Sequence, residues 1–457
     1  MRSRSSGRAR ARAQQTAAVA GMAAVAILIG ACGSARTSDS AASADSGAAA
    51  STTADGGSST ARTVGSGVTV TAPTQCGDNV VYRQSDPDSV LATLPDETRA
   101  NYTIYPYDVR ASPWTRFAGR RGPWKIGYIN FPVNNPWQVN LSSGLKDQFA
   151  QAKAKGLVTG DLDTYIQPST ATATPEQQSA AIEQMVKAGV DGILLHPLNA
   201  IAETKAIDDA GKAGVPIVLT GDAAPNSTYA LNMFVMNQSP SYADTLRLLK
   251  DQGKVDNGRT INVLDVRGIP GNTAEQTYHN EGQATMRACR GMKEIGTVWG
   301  QWNPASTKTE VLKFIASHPG NIDFVMQQGS MSAGVIQAFE QAGKPVPPMP
   351  MGGTSGGDLA WWAANKDRFS AAGAQYGGKQ VAYTAMRILL RTLAGNGPKL
   401  RDLAFPAPMV TNDNIDEFAT PGKDVTWIGD PRGPLDALAD TSRLDGYFSK
   451  PGNPGGM

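Results

Sequence analysis

The sequence predicts an α/β protein built as two similar lobes, each a parallel sheet flanked by helices, and three observations carry that prediction. From Trp124 onward, short apolar runs suited to buried strands alternate with segments whose apolar residues recur at helical spacing. The loops between them are short, as βαβ units with helices on both faces require. The same rhythm then restarts near Thr260, which implies a second lobe.

Taken in order, the chain opens on five arginines within residues 1–16 and no acid, and Thr16 to Ala31 is then apolar or small throughout. Sixteen such residues make a helix of about 24 Å, short of the ~20 residues that a bilayer span needs, so residues 1–31 read as a secretory signal. Ile29-Gly30-Ala31-Cys32 resembles the bacterial lipobox, in which the lipidated cysteine becomes the first residue of the mature chain. The other reading is an ordinary cleavage site with Cys32 incidental. Lipidation at Cys32 implies an extracytoplasmic protein anchored to the outer face of the cytoplasmic membrane. Loss of the leader arginines takes the formal charge from +2 to −3, and a chain without basic excess is not drawn to nucleic acid. Cys76 and Cys289 are the other cysteines; in an oxidising compartment they either bridge or stay as two buried thiols.

Residues 32–75 are mostly Ser, Ala, Thr, Gly and Asp, too poor in large apolar groups to offset their ordering entropy, and are expected to be a disordered tether. As a flexible coil the tether reaches about 35 Å. Residues 76–122 hold Tyr, Trp and Val without a clear period and are expected to pack as an extension on the main body. Within the first lobe, KIGYINF at 125–131 is a buried strand, followed by a helix with Leu141, Leu145 and Phe149 on one stripe, ended by Gly156. Thr174-Pro175-Glu176-Gln177 forms a capping box with proline at the first helical position, opening a helix through Met185. The strand DGILLHP, a helix at 200–213 and the strand VPIVLTGD complete the unit. In the second lobe the expected order is the strand TINVLDVRG, a helix through about Lys293, the strand IDFVMQQG, a helix at 331–342, the strand PPMPMGG, and a helix from Gly357 to Asp367. The strand FSAAGAQY and a helix from Gly378 to Leu393 close the set. Ligands of open α/β sheets sit beyond the carboxyl ends of strands, so the loops VNNPW, TGDAA, RGIPGN, QQGSM and GGTSG point to a cleft between the lobes.

Enzyme signatures are sparse. GxxxxGK[ST], HExxH, paired CxxC and GxGxxG are absent, and the spacing of His196, His279 and His318 suits no metal cluster, so neither metal nor cofactor is expected. Gly353-Thr354-Ser355-Gly356-Gly357 fits GxSxG, but no histidine follows His318 to serve as base, and a glycine-rich turn accounts for it better. Asp208-Asp209 reads as a solvated helix face rather than a catalytic pair.

The stretches KIGYINFPVNNPWQ, PEQQSAAIEQMVKAGVDGILLHPLNA, VPIVLTGD, RGIPGNTAEQTYHNEGQATM and FVMQQGSMSAGVIQAFEQAG appear in that order. Over about Lys125 to Asn414 the chain resembles the type I periplasmic binding proteins, specifically the ribose-binding-like, sugar-binding branch that serves ABC importers. That resemblance implies two lobes joined by a three-segment hinge, here 123–235 plus 377–405 and 236–376 plus 406–420, with crossings near Asn237, Gln375 and Pro406 and a tail at 421–457. It implies a monomer that closes on a small-molecule ligand and is read by a membrane permease, and no enzymatic activity. A sensory receptor presenting its ligand to a histidine kinase uses the same fold and is the alternative.

The family's motif positions carry over to Asn135, Trp137 and Gln138 at the start of the first helix, to Trp302 in the second lobe, and to the amides Gln328 and Gln375. Indole rings suit the C–H faces of sugars; core packing is the competing account of both tryptophans, and a turn role the competing account of Asn135. The departures are Gly221-Asp222 where an Asp-Arg pair is usual, His279 where an arginine is usual, and Thr354 where an aspartate is usual. With the charged clamps gone, ribose itself is not expected, and another sugar, a polyol or a similar polar metabolite is. His279 equally suits a helix surface.

Overall fold

The computed structural model describes residues 69–457 other than 101, 105, 106, 171, 222, 223, 225 and 237. The leader, Cys32, nearly all of the tether, Asp222 and the crossing residue Asn237 therefore lie outside the described residues.

The first sheet has six strands, in spatial order Asp402–Pro406, Ala230–Met236, Ile217–Leu219, Gly192–His196, Ile126–Asn130 and Asp163–Ile166. All its pairings are parallel. A parallel sheet is covered on both faces, so its central strands are apolar without alternation. Here Tyr128, Leu194 and Val218 enter one core with Leu141, Leu145, Val381 and Leu389, while Ile129, Ile193, Leu195 and Ile217 enter another with Ile182, Met185 and Ile207. The helices Pro136–Ala154 and Gly378–Leu393 lie side by side on the first face, and close approach is permitted by Gly144, where a Cβ would stand 2.9 Å from Ala382 Cβ. The helix Pro175–Lys187 carries the expected capping box, Thr174 and Gln177 each bonding the other's backbone N–H.

The second lobe departs from expectation in three places. Its parallel sheet runs Phe324–Gln327, Ile261–Arg267, Met292–Trp299, and the helix expected to reach Lys293 stops at Arg287. Met292–Trp299 is an edge strand with only Val298 buried, and its polar residues hide the apolar run that would have marked it. A helix, Pro304–Ser317, follows it and was also not anticipated. The segment PPMPMGG is extended but forms no ladder. Pro347, Pro348 and Pro350 lack the N–H that a strand donates, and the segment instead accepts Val325 N–H at Pro348 O and donates from Met351 N–H to Ala372 O. A short antiparallel pair, Ala372–Ala374 with Met409–Thr411, packs beside the helix Gln238–Asp251.

The chain leaves the six-stranded sheet after Met236, returns between Ala374 and Gly378, and leaves again between Pro406 and Met409. Two flanking segments add to this body. Tyr102, Ile104, Val109 and Trp114 of the N-terminal segment are buried in the first lobe's core, with Tyr102 OH donating to Asp402 O and Trp114 Nε1 to Tyr229 O. Upstream, Cys76 and Cys289 form a disulfide, and Arg247 Nη2 donates to Gly77 O, tying the same segment to the second lobe. Residues 421–457 are no loose tail: Leu438, Leu444, Tyr447 and Phe448 join the first lobe's core, and Asp430 accepts the N–H groups of Gly378 and Lys379. A carboxylate there offsets the positive end of the helix dipole. Among the described residues no helix is long and apolar enough to cross a membrane.

Candidate functional site

A cleft of about 1360 Å³, its open mouth included, lies beyond the carboxyl ends of both sheets. The first lobe brings Asn135, Trp137, Gln138 and His196 to it, and the second brings Trp302, Gln328, Tyr278 and Glu281. Gln238, Ser239 and Tyr376 come from the crossings, and Tyr82 and Tyr107 from the N-terminal segment. At the mouth the lobes meet through hydrogen bonds from Asn303 Nδ2 to Asn134 O (2.9 Å), Asn272 Nδ2 to Leu198 O (2.9 Å) and Asn199 Nδ2 to Gly271 O (3.1 Å).

Local sequence explains how the rings are held. Asn135 caps the helix Pro136–Ala154 by accepting Gln138 N–H, and Pro136 at the first helical position pre-sets φ. That turn presents Trp137 beside His196, with ring centroids 5.3 Å apart, and edge-on to Tyr376 at 6.1 Å. Trp302 has φ +50°, a left-handed conformation unfavourable for a bulky side chain by about 1–3 kcal/mol. Its indole lies flat over Gly268, where any Cβ would collide with the ring. The backbone is therefore bent against its own preference to put this ring in the cleft.

Among the described residues, Trp137 Nε1, Gln238 Oε1 and Ser239 Oγ are buried without a hydrogen bond. Such groups cost about 1–3 kcal/mol each unless a partner is supplied. His196 is held neutral, its pKa pushed down to about 3 by burial. Thr220 Oγ1 lies 3.0 Å from His196 Nδ1 and 3.3 Å from Leu195 O, which fixes the imidazole against the strand end. Glu281 goes the other way: burial pushes its pKa up to about 7, opposed by the hydrogen bond from Tyr82 OH.

Of the residues singled out from sequence, Asn135, Trp137, Gln138, Trp302 and Gln328 come together around this cleft. Gln328 is already committed on both ends of its amide, accepting Gly268 N–H and donating to Glu275 Oε1, so it braces the wall. His279, Thr354 and Gln375 are not among the residues that line the cleft. On the helix Thr273–Arg287 the positions that face the cleft are Ala274, Thr277, Tyr278 and Glu281, spaced by three and four; His279 falls about 100° off that stripe and pairs with Asp265 at 3.0 Å. Thr354 Oγ1 donates to Gln375 Oε1, and Gln375 Nε2 donates to Met351 O, so these two satisfy one another below the cleft floor. Two further readings are settled by hydrogen bonds. Ser355 is the cap of the helix Gly356–Asn365, its hydroxyl bonded to Asp358. Asp208 is not merely solvated, since it accepts from Ser227 Oγ and Thr228 N.

Helical phase applied to the segment after Gly271 would have found Tyr278 and Glu281. Nothing local marks Tyr82 or Tyr107, which reach the cleft only through tertiary packing.

A family model described as periplasmic binding protein domain matches residues 126–397. A ribose import binding protein of Bacillus subtilis (strain 168) is 21% identical over 233 residues, which covers 50% of this chain and 70% of that protein. Among solved structures, an ABC transporter solute binding protein from Thermobispora bispora superposes with a TM-score of 0.58 at 22% identity, over 73% of this chain and 99% of the other. One from Agrobacterium vitis with bound D-fucose gives 0.53 at 17% identity, over 64% and 97%. One from Bacillus halodurans with bound myo-inositol gives 0.51 at 16%, over 66% and 97%. These superpositions establish a shared fold.

Proposed function

The chain belongs to the periplasmic binding protein domain family, and from that premise we propose that it captures a sugar or sugar-like small molecule between its lobes and delivers it to an ABC importer. Members of this family hold solutes rather than transform them. One observation carries the reading: Trp137 from one lobe and Trp302 from the other bring their rings to a single cleft whose walls also hold unpaired polar atoms. Flat apolar faces with hydrogen-bonding edges match a sugar ring, which has both. The solutes bound in two of the similar structures, D-fucose and myo-inositol, are of the same chemical kind.

Capture follows from linkage. Only the closed arrangement lets both sets of contacts form at once, so a solute shifts the lobes toward it by as much as its differential affinity. A permease then reads the closed shape. A thermal-shift screen over pentoses, hexoses and polyols tests this: a solute at a hundred times its dissociation constant adds ~2.7 kcal/mol of stability. At least one compound is expected to raise the melting temperature, and a flat response to the whole panel would remove the reading.

In the same proposal the protein is held at the outer face of the membrane by lipid on Cys32. Cys32→Ala is expected to move it from the membrane fraction to the soluble fraction; retention on the membrane would show that another feature anchors it.

A further inference from the structure

We propose that the solute of this cleft carries a protonated amino group, a small polyhydroxylated amine, and that Glu281 is the residue that selects it. The inference rests on the reading of the cleft as a solute site and names its chemical class.

Glu281 lines the cleft from the helix Thr273–Arg287 and is 9% exposed. Oε1 accepts from Tyr82 OH at 2.8 Å. Nothing in the described lining compensates this carboxylate. Among the described residues the lining contains neither lysine nor arginine. Arg267, at the end of the adjacent strand, is gripped by Glu275 through two hydrogen bonds of 2.6 and 2.9 Å. His196 is buried and neutral. Among the described residues the cleft thus combines one acid, no lysine or arginine and several aromatic faces, together with the unbonded Gln238 Oε1 and Ser239 Oγ.

A neutral sugar can hydrogen-bond to Glu281 but cannot balance its charge. An ammonium group does both, and aromatic faces attract cations as well as C–H faces. The groups around Glu281 do not supply the missing charge. Tyr82 is a phenol, Tyr242 on the helix Gln238–Asp251 is a phenol whose pKa is raised by burial and then by Glu281, and Tyr278 and His279 share its helix, the latter tied to Asp265. Burial pushes the Glu281 pKa to about 7. Binding an ammonium needs the ionised form, so affinity for an amine rises as pH rises through that value, whereas affinity for a neutral polyol does not follow it.

The test compares matched pairs on the full chain by thermal shift and calorimetry: 1-amino-1-deoxysorbitol against sorbitol, and glucosamine against glucose. At least one amine is expected to bind about tenfold tighter than its neutral parent. That advantage should grow between about pH 5.5 and about 8 for 1-amino-1-deoxysorbitol, which stays charged throughout. Glu281→Gln should erase the advantage, read as the ratio of amine to parent affinity within that variant. If that variant does not fold, the wild-type pH slope decides alone. Equal binding of amine and parent, or an amine preference that survives in Glu281→Gln, overturns the inference and leaves the solute-binding reading standing. Silence toward every carbohydrate and polyol, amine-bearing or not, counts against that reading itself.

Discussion

Trp137→Ala combined with Trp302→Ala is expected to abolish the solute-dependent rise in melting temperature while the unliganded protein still melts cooperatively. Each indole covers one face of a sugar-sized solute, roughly 80 Å² of apolar surface, worth about 2 kcal/mol at about 25 cal/mol per Å². Losing one ring should weaken binding about 30-fold and losing both about a thousand-fold. A solute that sat at a hundred times its dissociation constant would then lie well below it, and its ~2.7 kcal/mol of stabilisation would vanish. The unliganded fold is not held by these rings: Trp137 and Trp302 are only partly buried and pack against the edges of their respective cores. Trp302→Phe separates the ring from the backbone strain, since it keeps an aromatic face at φ +50°. Retained binding in Trp302→Phe with loss in Trp302→Ala assigns the effect to stacking. Unchanged affinity in the double alanine variant would mean that the solute is held elsewhere, and the two-ring site would have to be abandoned.

The alternation of strand and helix was legible because parallel strands are buried on both faces, so KIGYINF and DGILLHP advertise themselves as unbroken apolar runs. Caps were legible for the same kind of reason: Thr174-Pro175-Glu176-Gln177 and Asn135-Pro136 satisfy orphan N–H groups through side chains within three residues. What failed was everything whose cause lies far away in sequence. Met292–Trp299 is a strand because Ile261–Arg267 offers it an edge, not because its own residues demand one. Gln375 was assigned to solute by position alone, but Thr354 and Met351 consume its amide, and no local pattern reveals that. Tyr82 and Tyr107 become cleft residues only because the N-terminal segment folds over both lobes. Glu281 lay within reach, as its helical phase with Ala274 and Tyr278 is a property of the sequence.

Cys76→Ser with Cys289→Ser is expected to produce a large loss of stability, since the bridge lies in a buried cluster of the second lobe with Tyr242, Leu246 and Phe324. The disulfide spans 213 residues, and closing so long a loop restricts the unfolded chain by about 5 kcal/mol in the chain-entropy account, with native bridges typically giving about 2–5. The unfolding free energy by denaturant titration should fall by about that amount, to be compared with the ~5–15 kcal/mol that a folded protein usually has in hand. The consequence reaches the cleft because of where the bridge sits. It anchors the start of a segment that next gives Gly77 O to Arg247, then Tyr82 OH to Glu281, and only afterwards sinks Tyr102 and Trp114 into the other lobe. With the covalent anchor gone, what these bonds contribute is modest, since each partly buried hydrogen bond is worth only about 0.5–1.5 kcal/mol net. Solute affinity should therefore fall together with stability, and a Tyr82→Phe variant with the bridge intact should lose part of the affinity with little loss of stability. If the double serine variant binds solute as tightly as the parent, the N-terminal segment is a brace for folding alone, and the wall it contributes plays no part in holding the solute.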